Sequence, residues 1–498
     1  MNVNPITRLD YPDPDVIRVE DTYYMVSTTM HFMPGCEILQ SFDLVHWEHV
    51  TYVYEMLDHT DAQQLKSGQN IYGQGMWAAS LRYHEGRFYI CFVANDTRKT
   101  YLYTSEKIDG PWKKQLIEGF YHDGSLLFDE DGRNYIVYGN DEIWITELNE
   151  DLTAPKKDGL HRLLVSDHKN PELGYEGSHI QKINGYYYIF LVHSLRDRWM
   201  RTEACFYSDS LEGEFTGGDV LCDDRGYCGQ GVAQGGIVDT PDGKWYAMLF
   251  QDSGAVGRIP ILLPVTWKDH FPVFGQNGHV PEEIEVHSTR PGYIYQPLVG
   301  SDDFCNGLLP RWQFNHDPDP RYYHLDALQG TYTITTREVC TELTQAVNTL
   351  TQRMSYPSCA AEVTVDASAL KEGDVAGLCA LQSCYAAVGI TKHHGKYEVL
   401  MLDKKEDGIL DMTGGTVVES HQMDFRLEAD FCNMKDEARC YYRVNKGDWL
   451  PIGTVHKLYF KLDHFTGCRF GLFCYAAEET GGSACFRDFK YYDVDEIS

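Results

Sequence analysis

The most regular pattern along this 498-residue chain is a short polar turn followed by alternating aromatic and aliphatic residues. Asn-Gly and Asp-Gly pairs between such runs favour β-hairpins, because a type I′ turn needs positive φ angles. The pattern occurs five times in the first 250 residues, beginning at positions 20, 85, 131, 184 and 242. Five units of about 46–65 residues, each with several short strands, predict a five-bladed β-propeller. A β-sandwich built from the same hairpins is the alternative, but it does not require units of similar length.

A different pattern follows the fifth hairpin. The segment 291–300 has the composition of a linker, and alternating stretches such as 457–462 and 469–475 come after it, with glycine-rich turns between them. This arrangement is typical of a jelly-roll or lectin-like β-sandwich. We therefore expect an all-β chain with a propeller domain over residues 1–295 and a β-sandwich domain over residues 300–498.

The charge of the chain narrows the choice of partners. It has 43 Lys and Arg against 74 Asp and Glu, a formal net charge of −31. Such a surface repels phosphate backbones and anionic lipids, because affinity for both depends on basic side chains. No stretch reaches the ~18 consecutive apolar residues of a membrane span. We expect a neutral small-molecule substrate and no nucleic-acid or membrane partner.

The cysteines and the first residues of the chain bear on the cellular compartment of the protein. The chain has fifteen cysteines, an odd number, with no Cys-x-x-Cys pair, and ten of them follow residue 300 among apolar neighbours. We expect these to be buried reduced thiols. The first residues contain neither the basic nor the apolar segment of a secretion signal. The sequence therefore predicts a cytoplasmic protein.

One position in each of the five units carries unusual chemistry. Counting back from each turn to the start of its unit gives Asp13, Trp77, Asp123, Glu176 and Gln234. Because the first strand of each blade lines the central axis of a propeller, these side chains are expected to surround one mouth of the channel. Three of the five are carboxylic acids, and like charges that face one axis cost free energy. Proteins keep such clusters mainly where function requires them, although single acids of this kind also serve as caps, turn formers or calcium ligands.

Carboxylic acids placed across a pocket suit the hydrolysis of a glycosidic bond. In an inverting enzyme one acid protonates the leaving oxygen and another activates water, with the two carboxyl groups about 6.5–9.5 Å apart. A third acid nearby raises the pKa of the proton donor by repulsion. An aromatic ring in the same place, here that of Trp77, would stack on the apolar face of a sugar. The pattern thus predicts a site that binds and cleaves a carbohydrate.

Three short segments strengthen this interpretation. Asn4-Pro5, Tyr11-Pro12-Asp13-Pro14-Asp15 and Tyr175-Glu176-Gly177-Ser178-His179, together with the five aromatic hairpins, resemble glycoside hydrolase family 43. The resemblance covers the whole chain and implies a five-bladed propeller that acts as an inverting β-xylosidase, α-L-arabinofuranosidase or arabinanase. The segment 303–312 resembles the start of the concanavalin-like β-sandwich found in the xylosidase and arabinofuranosidase branch.

The resemblance also implies roles for individual residues. Asp13 matches the general base, Glu176 the general acid, and Asp123 the acid that modulates the pKa of the donor and orients it. Five further residues are expected to bind the substrate. They are Gln234 in the fifth blade, Arg258, which would bond the sugar in the cleavage subsite, Trp77 in the subsite wall, and His31 and Phe32 in a rim loop, which serve equally well as packing residues.

This chain departs from the family pattern at three places. Gln234 stands where many xylosidases have a histidine that approaches a metal or water at the propeller centre. The resemblance implies no required cofactor, and Gln234 argues against a structural Ca²⁺ at the axis. Asp15 replaces a common serine and is expected to add negative charge near the base. The segment 194–199 is long, basic and aromatic, and is expected to shape the leaving-group side.

These observations favour one function and leave two alternatives. The leading prediction is an inverting glycoside hydrolase that removes terminal α-L-arabinofuranosyl residues from arabinoxylan-derived oligosaccharides. A β-D-xylosidase, or an enzyme with both activities, is the first alternative. A non-catalytic carbohydrate-binding propeller is the second. Retaining fructan enzymes have similar propellers, but their starting motifs are missing, and retention requires carboxyl groups only about 5–5.5 Å apart.

Overall fold

The computed structural model describes residues 2–493 and confirms the predicted all-β architecture. Five antiparallel four-stranded sheets form the blades of a propeller. The innermost strand of each blade contacts that of the next, and the ring closes between blade 5 and blade 1. From the axis outward, the strands are Asp15–Val19, Thr22–Ser27, Gly35–Ser41 and Glu48–Tyr54 in blade 1; Ser80–His84, Arg87–Ala94, Lys99–Ser105 and Lys113–Ile117 in blade 2; Ser125–Phe128, Asn134–Asn140, Glu142–Leu148 and His161–Ser166 in blade 3; Glu176–Ile183, Tyr186–Ser194, Arg201–Ser208 and Thr216–Leu221 in blade 4; and Val232–Asp239, Trp245–Asp252, Arg258–Lys268 and Phe271–Phe274 in blade 5.

The N-terminal segment helps to hold the ring closed. The short strand Asn2–Val3 pairs with Glu283–Ile284, which follows blade 5. The buried side chain of Asn4 then forms two hydrogen bonds with the backbone of Leu262 in blade 5, donating from Nδ2 at 2.8 Å and accepting at Oδ1 at 3.1 Å. An amide side chain offers a donor and an acceptor together. The side chain of Asn4 therefore pairs with Leu262 as the backbone of a neighbouring strand would.

The second domain is the predicted β-sandwich, with a continuous apolar core between two antiparallel sheets. One sheet contains, in spatial order, Leu410–Val418, Lys396–Lys404, Ala386–His393, Asp374–Leu381, Arg469–Ala476, Leu350–Arg353, Gln313–Asn315 and Phe32–Met33. The other contains Tyr323–Asp326, Thr331–Thr335, Ser483–Asp493, Ser358–Asp366, Gln422–Asp430, Glu437–Val444 and Leu450–Lys457.

Helical structure in the described residues is limited to four single 3₁₀ turns, which are Lys66–Gly68, Gly254–Val256, Leu343–Gln345 and Cys432–Met434. None of the helices formed by residues 2–493 has the length and apolar character needed to cross a membrane. The fifteen cysteines are all free thiols, and nine of them are buried, most of these inside strands.

The two domains share a β-sheet. Phe32–Met33 lies in the propeller segment of the sequence but pairs with Gln313–Asn315 at the edge of the larger sandwich sheet. His31 and Phe32 are consequently buried at this interface, at 0% and 2% exposure, and Phe32 packs into the sandwich core. The expectation that these two residues line the rim of a substrate site is therefore wrong, because strand pairing turns them towards the second domain.

A buried ion pair crosses the same interface. Arg353 of the sandwich lies 2.8 Å from Glu37 of blade 1, and both side chains are at most 5% exposed. Burial alone would raise the pKa of Glu37, but Arg353 and His49 outweigh it and lower that pKa to about 2. The carboxylate thus depends on its partner from the other domain to remain charged in an apolar setting.

Replacing this arginine tests how strongly the domains depend on each other. Arg353→Met leaves Glu37 buried with only His49 beside it, so we expect the free energy of unfolding at pH 7 to fall by about 3–5 kcal/mol. Because the pKa of Glu37 is lowered in the folded state, the advantage of the wild type should shrink as the pH falls from about 4.5 towards 2.

Urea unfolding followed by tryptophan fluorescence measures the difference between the two proteins. Arg439→Met, in a half-exposed pair with Glu437, is the matched control and should change stability by no more than about 1 kcal/mol. An equal effect of the two substitutions would show that the interface does not depend on the buried pair.

Candidate active site

All five residues at the starts of the blades open into one cavity of about 600 Å³ at a mouth of the propeller. The predicted ring of Asp13, Trp77, Asp123, Glu176 and Gln234 is therefore present as a single site. The rest of the lining comes from blades 3, 4 and 5 and from the sandwich, and consists of His122, Asn140, Glu172, Leu173, Trp199, Arg201, Gln230, Asp252, Gly254, Arg258, Met434, Phe460, Lys461, Leu462 and Phe465.

Irregular backbone aims these side chains at the axis. Asp13, Asp123 and Gln234 all have φ angles between 48° and 65°, in the left-handed region that non-glycine residues rarely adopt. The innermost strands of blades 4 and 5 carry a β-bulge just after Glu176 and at Gln234. Bulges and left-handed residues re-aim a side chain out of the regular pleat, and they persist where the surrounding structure enforces them.

Gly177 shows why a small residue follows the acid of blade 4. Its φ is 66°, and a Cβ atom there would lie 2.7 Å from Cγ of Gln234. Its N–H donates a 2.9 Å hydrogen bond to Oδ2 of Asp123. The glycine thus lets blades 3, 4 and 5 approach closely, and it ties the backbone at Glu176 to the neighbouring acid.

Asp13 is held by two donors. Oδ1 accepts a 2.8 Å hydrogen bond from Nη1 of Arg258, and Oδ2 accepts one of 2.6 Å from Oγ1 of Thr28. Arg258 is 2% exposed, and its Nε and Nη2 have no protein partner among the described residues. Buried donors of this kind need an acceptor, so Arg258 is arranged to serve both the carboxyl group and a hydroxyl group in the cavity.

Asp123 and Glu176 form the second half of the site. Glu176 is the more accessible of the two, at 18% side-chain exposure against 6%. Burial, together with the charges of Glu176 and Asp13, raises the pKa of Asp123 to about 6, although His122 and the N–H of Gly177 oppose the rise. Asp123 is therefore protonated at a higher pH than an ordinary aspartate, beside the carboxyl group of Glu176.

A histidine missed by the sequence analysis lies between them. His122 Nε2 is 3.5 Å from both Asp123 Oδ2 and Glu176 Oε2. Burial disfavours its charged form, but Asp123, Glu176 and Asp13 outweigh this and raise the pKa of His122 to about 9. The acid pair therefore has a cation beside it. No sequence pattern could have revealed His122, because a single histidine next to an aspartate is common.

The apolar wall of the cavity contains the predicted ring of Trp77 and two unpredicted rings from the sandwich, Phe460 and Phe465. Phe465, in the sandwich loop between Leu450–Lys457 and Arg469–Ala476, lies 5.6 Å from the ring of Trp77. The guanidinium of Arg258 packs over Phe465 at 4.2 Å. Sequence patterns could not reveal Phe465, because it is about 450 residues from Asp13 and reaches the site only through domain packing.

The predicted leaving-group segment contributes one side chain to the cavity. Trp199 is 44% exposed, lines the opening, and has the guanidinium of Arg201 at 5.2 Å from its ring. Arg196 bonds instead to Asp167, and Arg198 to its neighbour Asp197. Within 194–199, Trp199 therefore lines the cavity, whereas the basic residues bond elsewhere, and a role on the leaving-group side stays a prediction.

Asp15 does not add free charge near Asp13. It accepts hydrogen bonds from Arg82 at 2.8 Å and from the N–H of Leu81 at 2.7 Å, and it lies 3.0 Å from His179. Burial would raise the pKa of Asp15, but Arg82 and His179 outweigh it and lower that pKa to about 2. The expected effect on the base is wrong, because the charge is neutralised one layer below the cavity.

The residues at the axis do not fit a calcium ion. Asp15 is already bonded to Arg82, whose guanidinium also donates to Ser125 Oγ at 2.6 Å and to the carbonyl groups of Leu126 and Ile180. Calcium needs six to eight oxygen ligands. Within residues 2–493, His122, Asp123 and Glu176 are the only group of three or more possible His, Cys, Asp or Glu ligands whose donor atoms all lie within 4.8 Å of one another. An ion there would find three protein ligands, fewer than calcium needs.

Comparison with known proteins agrees with this geometry. Residues 3–272 match the model of glycosyl hydrolases family 43. The chain belongs to glycosyl hydrolase family 43. Residues 301–492 match a second model, the concanavalin A-like C-terminal domain of β-xylosidases. These matches confirm the family, the fold and the glycoside hydrolase activity expected from the sequence.

Individual relatives carry both expected activities. A β-xylosidase of Formosa agariphila is 26% identical over 99% of this chain and 89% of its own. A non-reducing end α-L-arabinofuranosidase of Bacteroides ovatus is 24% identical over 82% and 79%. Among solved structures, a bifunctional GH43-CE protein of Bacteroides eggerthii is 41% identical with a TM-score of 0.93. All of the present chain aligns with that structure, and the alignment covers 64% of the length of the Bacteroides eggerthii chain.

The contribution of the sandwich loop can be tested at Phe465. Phe465→Ala removes the ring that packs on Arg258 and Trp77, so we expect the KM for aryl pentosides to rise. The kcat/KM should fall about tenfold, which corresponds to about 1.4 kcal/mol. Steady-state kinetics measures both constants.

A matched truncation in the same domain provides the control. Leu328 is 99% exposed and lies outside the cavity, so Leu328→Ala should leave kcat/KM unchanged. If Phe465→Ala is as active as Leu328→Ala, the loop closes the cavity without contacting the substrate.

Proposed function

We propose that this protein is an exo-acting, inverting glycosidase that removes single terminal pentosyl residues from xylan-derived oligosaccharides. One observation carries the proposal. Asp13 from blade 1, with its arginine partner, and the Asp123–Glu176 pair from blades 3 and 4 open into the same cavity. That cavity is bounded on one side by a loop of the sandwich, which suits a chain end better than the middle of a polymer.

In the proposed reaction, each acid has a separate task. The carboxylate of Asp13 takes a proton from water, which attacks the anomeric carbon. Glu176 gives its proton to the glycosidic oxygen as that bond breaks, so the product has the inverted configuration. Asp123, whose own pKa is raised to about 6 by burial and by the charges of Glu176 and Asp13, lies beside the donor and orients it. Arg258 holds Asp13 and offers its free N–H groups to the sugar.

The substrate class rests on three supports. A formal net charge of −31 favours a neutral ligand. The cavity wall of Trp77 and Phe465 suits the apolar face of a sugar ring. The relatives act, by their names, on xylosides and on arabinofuranosides. A preference for α-L-arabinofuranosyl residues over β-D-xylosyl residues stays a prediction from the sequence, and both are proposed substrates of the one cavity.

The location of the protein is part of the same proposal. The free thiols of the described residues are typical of a protein in a reducing compartment. We propose a cytoplasmic enzyme that acts on short imported fragments, with a pentose-containing oligosaccharide as its substrate.

The role of the general acid predicts a dependence on the leaving group. Glu176→Ala should abolish the release of pentose from oligosaccharides, because a sugar alkoxide leaves poorly without a proton. The loss of kcat/KM on p-nitrophenyl pentosides should be at least about a hundredfold smaller than the loss on oligosaccharides, since nitrophenolate leaves without a proton. Glu212→Gln, on an exposed loop outside the cavity, is the control and should behave as the wild type. Equal losses on both substrates would argue against the acid role.

The base and the stereochemistry are tested on the same substrates. Asp13→Asn should lower kcat about a thousandfold or more on every leaving group, because activation of water is needed whichever group departs. Product anomers followed by proton NMR should show inversion for the wild type on p-nitrophenyl α-L-arabinofuranoside and on the β-D-xyloside. Retention would contradict the mechanism, and cleavage of neither pentoside would contradict the substrate class.

A further inference from the structure

The two donors that contact the carboxyl group of Glu176 face the same oxygen atom. Asn140 Nδ2 donates to Oε2 at 2.8 Å, and His122 Nε2 lies 3.5 Å from Oε2. Within residues 2–493, both side-chain donors to this carboxyl group are therefore on one side. An oxygen that accepts from an amide and from an imidazolium is a poor place for the acidic proton.

The tip of one hairpin in blade 3 places both donors. The N–H of Gly139 donates to the carbonyl of His122 at 3.0 Å, and the N–H of Asp141 donates to the carbonyl of Tyr175 at 2.9 Å. Residues 139–141 thus run between the residue before Asp123 and the residue before Glu176.

The shape of this tip depends on a glycine. Gly139 has a φ of 143°, and a Cβ there would lie 2.0 Å from the carbonyl oxygen of Glu142. Only glycine permits this turn. The tip is consequently a rigid support for Asn140, whose side chain is the nearest donor to the acid.

Several charged groups surround the imidazole of His122. From blade 1 the charged neighbour is Asp13, from blade 3 it is Asp123, and from blade 4 it is Glu176. The remaining charged groups of the cavity are already paired, and these pairs are Arg258 with Asp13, Arg201 with Asp252, and Lys461 with Glu406. Exposed Glu172 lies at the cavity edge. Burial lowers the pKa of Arg201, but Asp252, Glu176 and Asp13 outweigh it, so Arg201 is a second cation that faces Glu176 from blade 4. His122 is the cation that lies 3.5 Å from both Asp123 and Glu176.

We propose that the imidazolium of His122 and the amide of Asn140 act as a positioning pair that holds Oε2 of Glu176 as an acceptor and leaves the catalytic proton on Oε1. This inference rests on the proposed function, because it assigns the atom from which the general acid acts. In the step, the Oε1–H bond breaks as the proton joins the leaving oxygen and the glycosidic bond opens. Water forms the new bond to the anomeric carbon and gives its proton to Asp13.

The charge on His122 adds a second effect. A positive charge near a carboxyl group favours its ionised form, and His122 lowers the pKa of Asp123, the buried neighbour of Glu176. Removing that charge should raise the pKa of Asp123, so the acid pair should keep a proton to higher pH. Asn140 is neutral, so its loss should misplace the proton with a much smaller effect on the pH at which the proton is lost.

Three variants separate these effects from a structural role. His122→Phe removes donor and charge, His122→Gln retains a donor without the charge, and Asn140→Ala removes the neutral donor. For His122→Phe we expect kcat/KM on xylo- and arabino-oligosaccharides to fall at least about tenfold, with less than about a threefold change on p-nitrophenyl pentosides. The basic limb of its pH profile should move up by about one unit. His122→Gln should regain most of the lost rate and keep the shifted limb, whereas Asn140→Ala should lose rate with the limb nearly in place.

The outcomes distinguish this inference from the proposed function. If His122→Phe and Asn140→Ala lose equal rate on all leaving groups and leave the basic limb unmoved, the two residues only support the fold, and the inference is wrong. If the wild type and Glu176→Ala show no dependence on the leaving group, the proposed function fails first. Thermal unfolding of each variant, compared with the exposed substitution Glu212→Gln, identifies losses due to misfolding, and His122→Gln keeps the test decisive where the larger change destabilises the protein.

Discussion

The side-by-side burial of Asp123 and Glu176 is the constraint on which the site depends. Charging two adjacent carboxyl groups with little access to water costs free energy, and the pKa of Asp123 rises to about 6. The surrounding structure is arranged to permit this. The N–H of Gly177 bonds Asp123, and His122 balances the remaining negative charge. Each contact comes from an irregular piece of backbone, which is why the bulge and the left-handed residues occur where the blades begin.

The two domains divide the requirements of the cavity between them. The propeller supplies almost all of the charged groups, because the starts of its five inner strands converge on one axis. The sandwich supplies much of the apolar wall through the loop that carries Phe460 and Phe465. Because of this division, the shape of the cavity depends on how the two domains pack together. The shared sheet at Phe32–Met33 and the buried pair of Glu37 and Arg353 fix the loop over the cavity, so a change far from the acids alters the shape of the sugar site.

Hairpin spacing in the sequence was enough to predict the propeller and the five residues that begin its blades, because both follow from a local repeat. Residues that reach the site through contacts between distant parts of the chain could not be predicted from this repeat. His122 and Asn140 are set by a hairpin tip whose contacts cross between blades 3 and 4, and Phe465 depends on domain packing. The errors have the same origin. His31 and Phe32 occupy a plausible loop, but pairing with the sandwich removes them from the cavity.

Asp13 and Asp15 show how one strand serves two purposes. They are two residues apart, yet the left-handed turn at Asp13 sends its carboxyl group into the cavity with Arg258, while Asp15 begins the regular strand and meets Arg82 and His179 below it. Charges that stabilise the ring are thus neutralised in a separate layer from charges that react. Because Arg82 links four of the five blades at the axis, its guanidinium supplies there the positive charge that a bound cation would otherwise contribute. The reactive acids above it can then be tuned by their own neighbours alone.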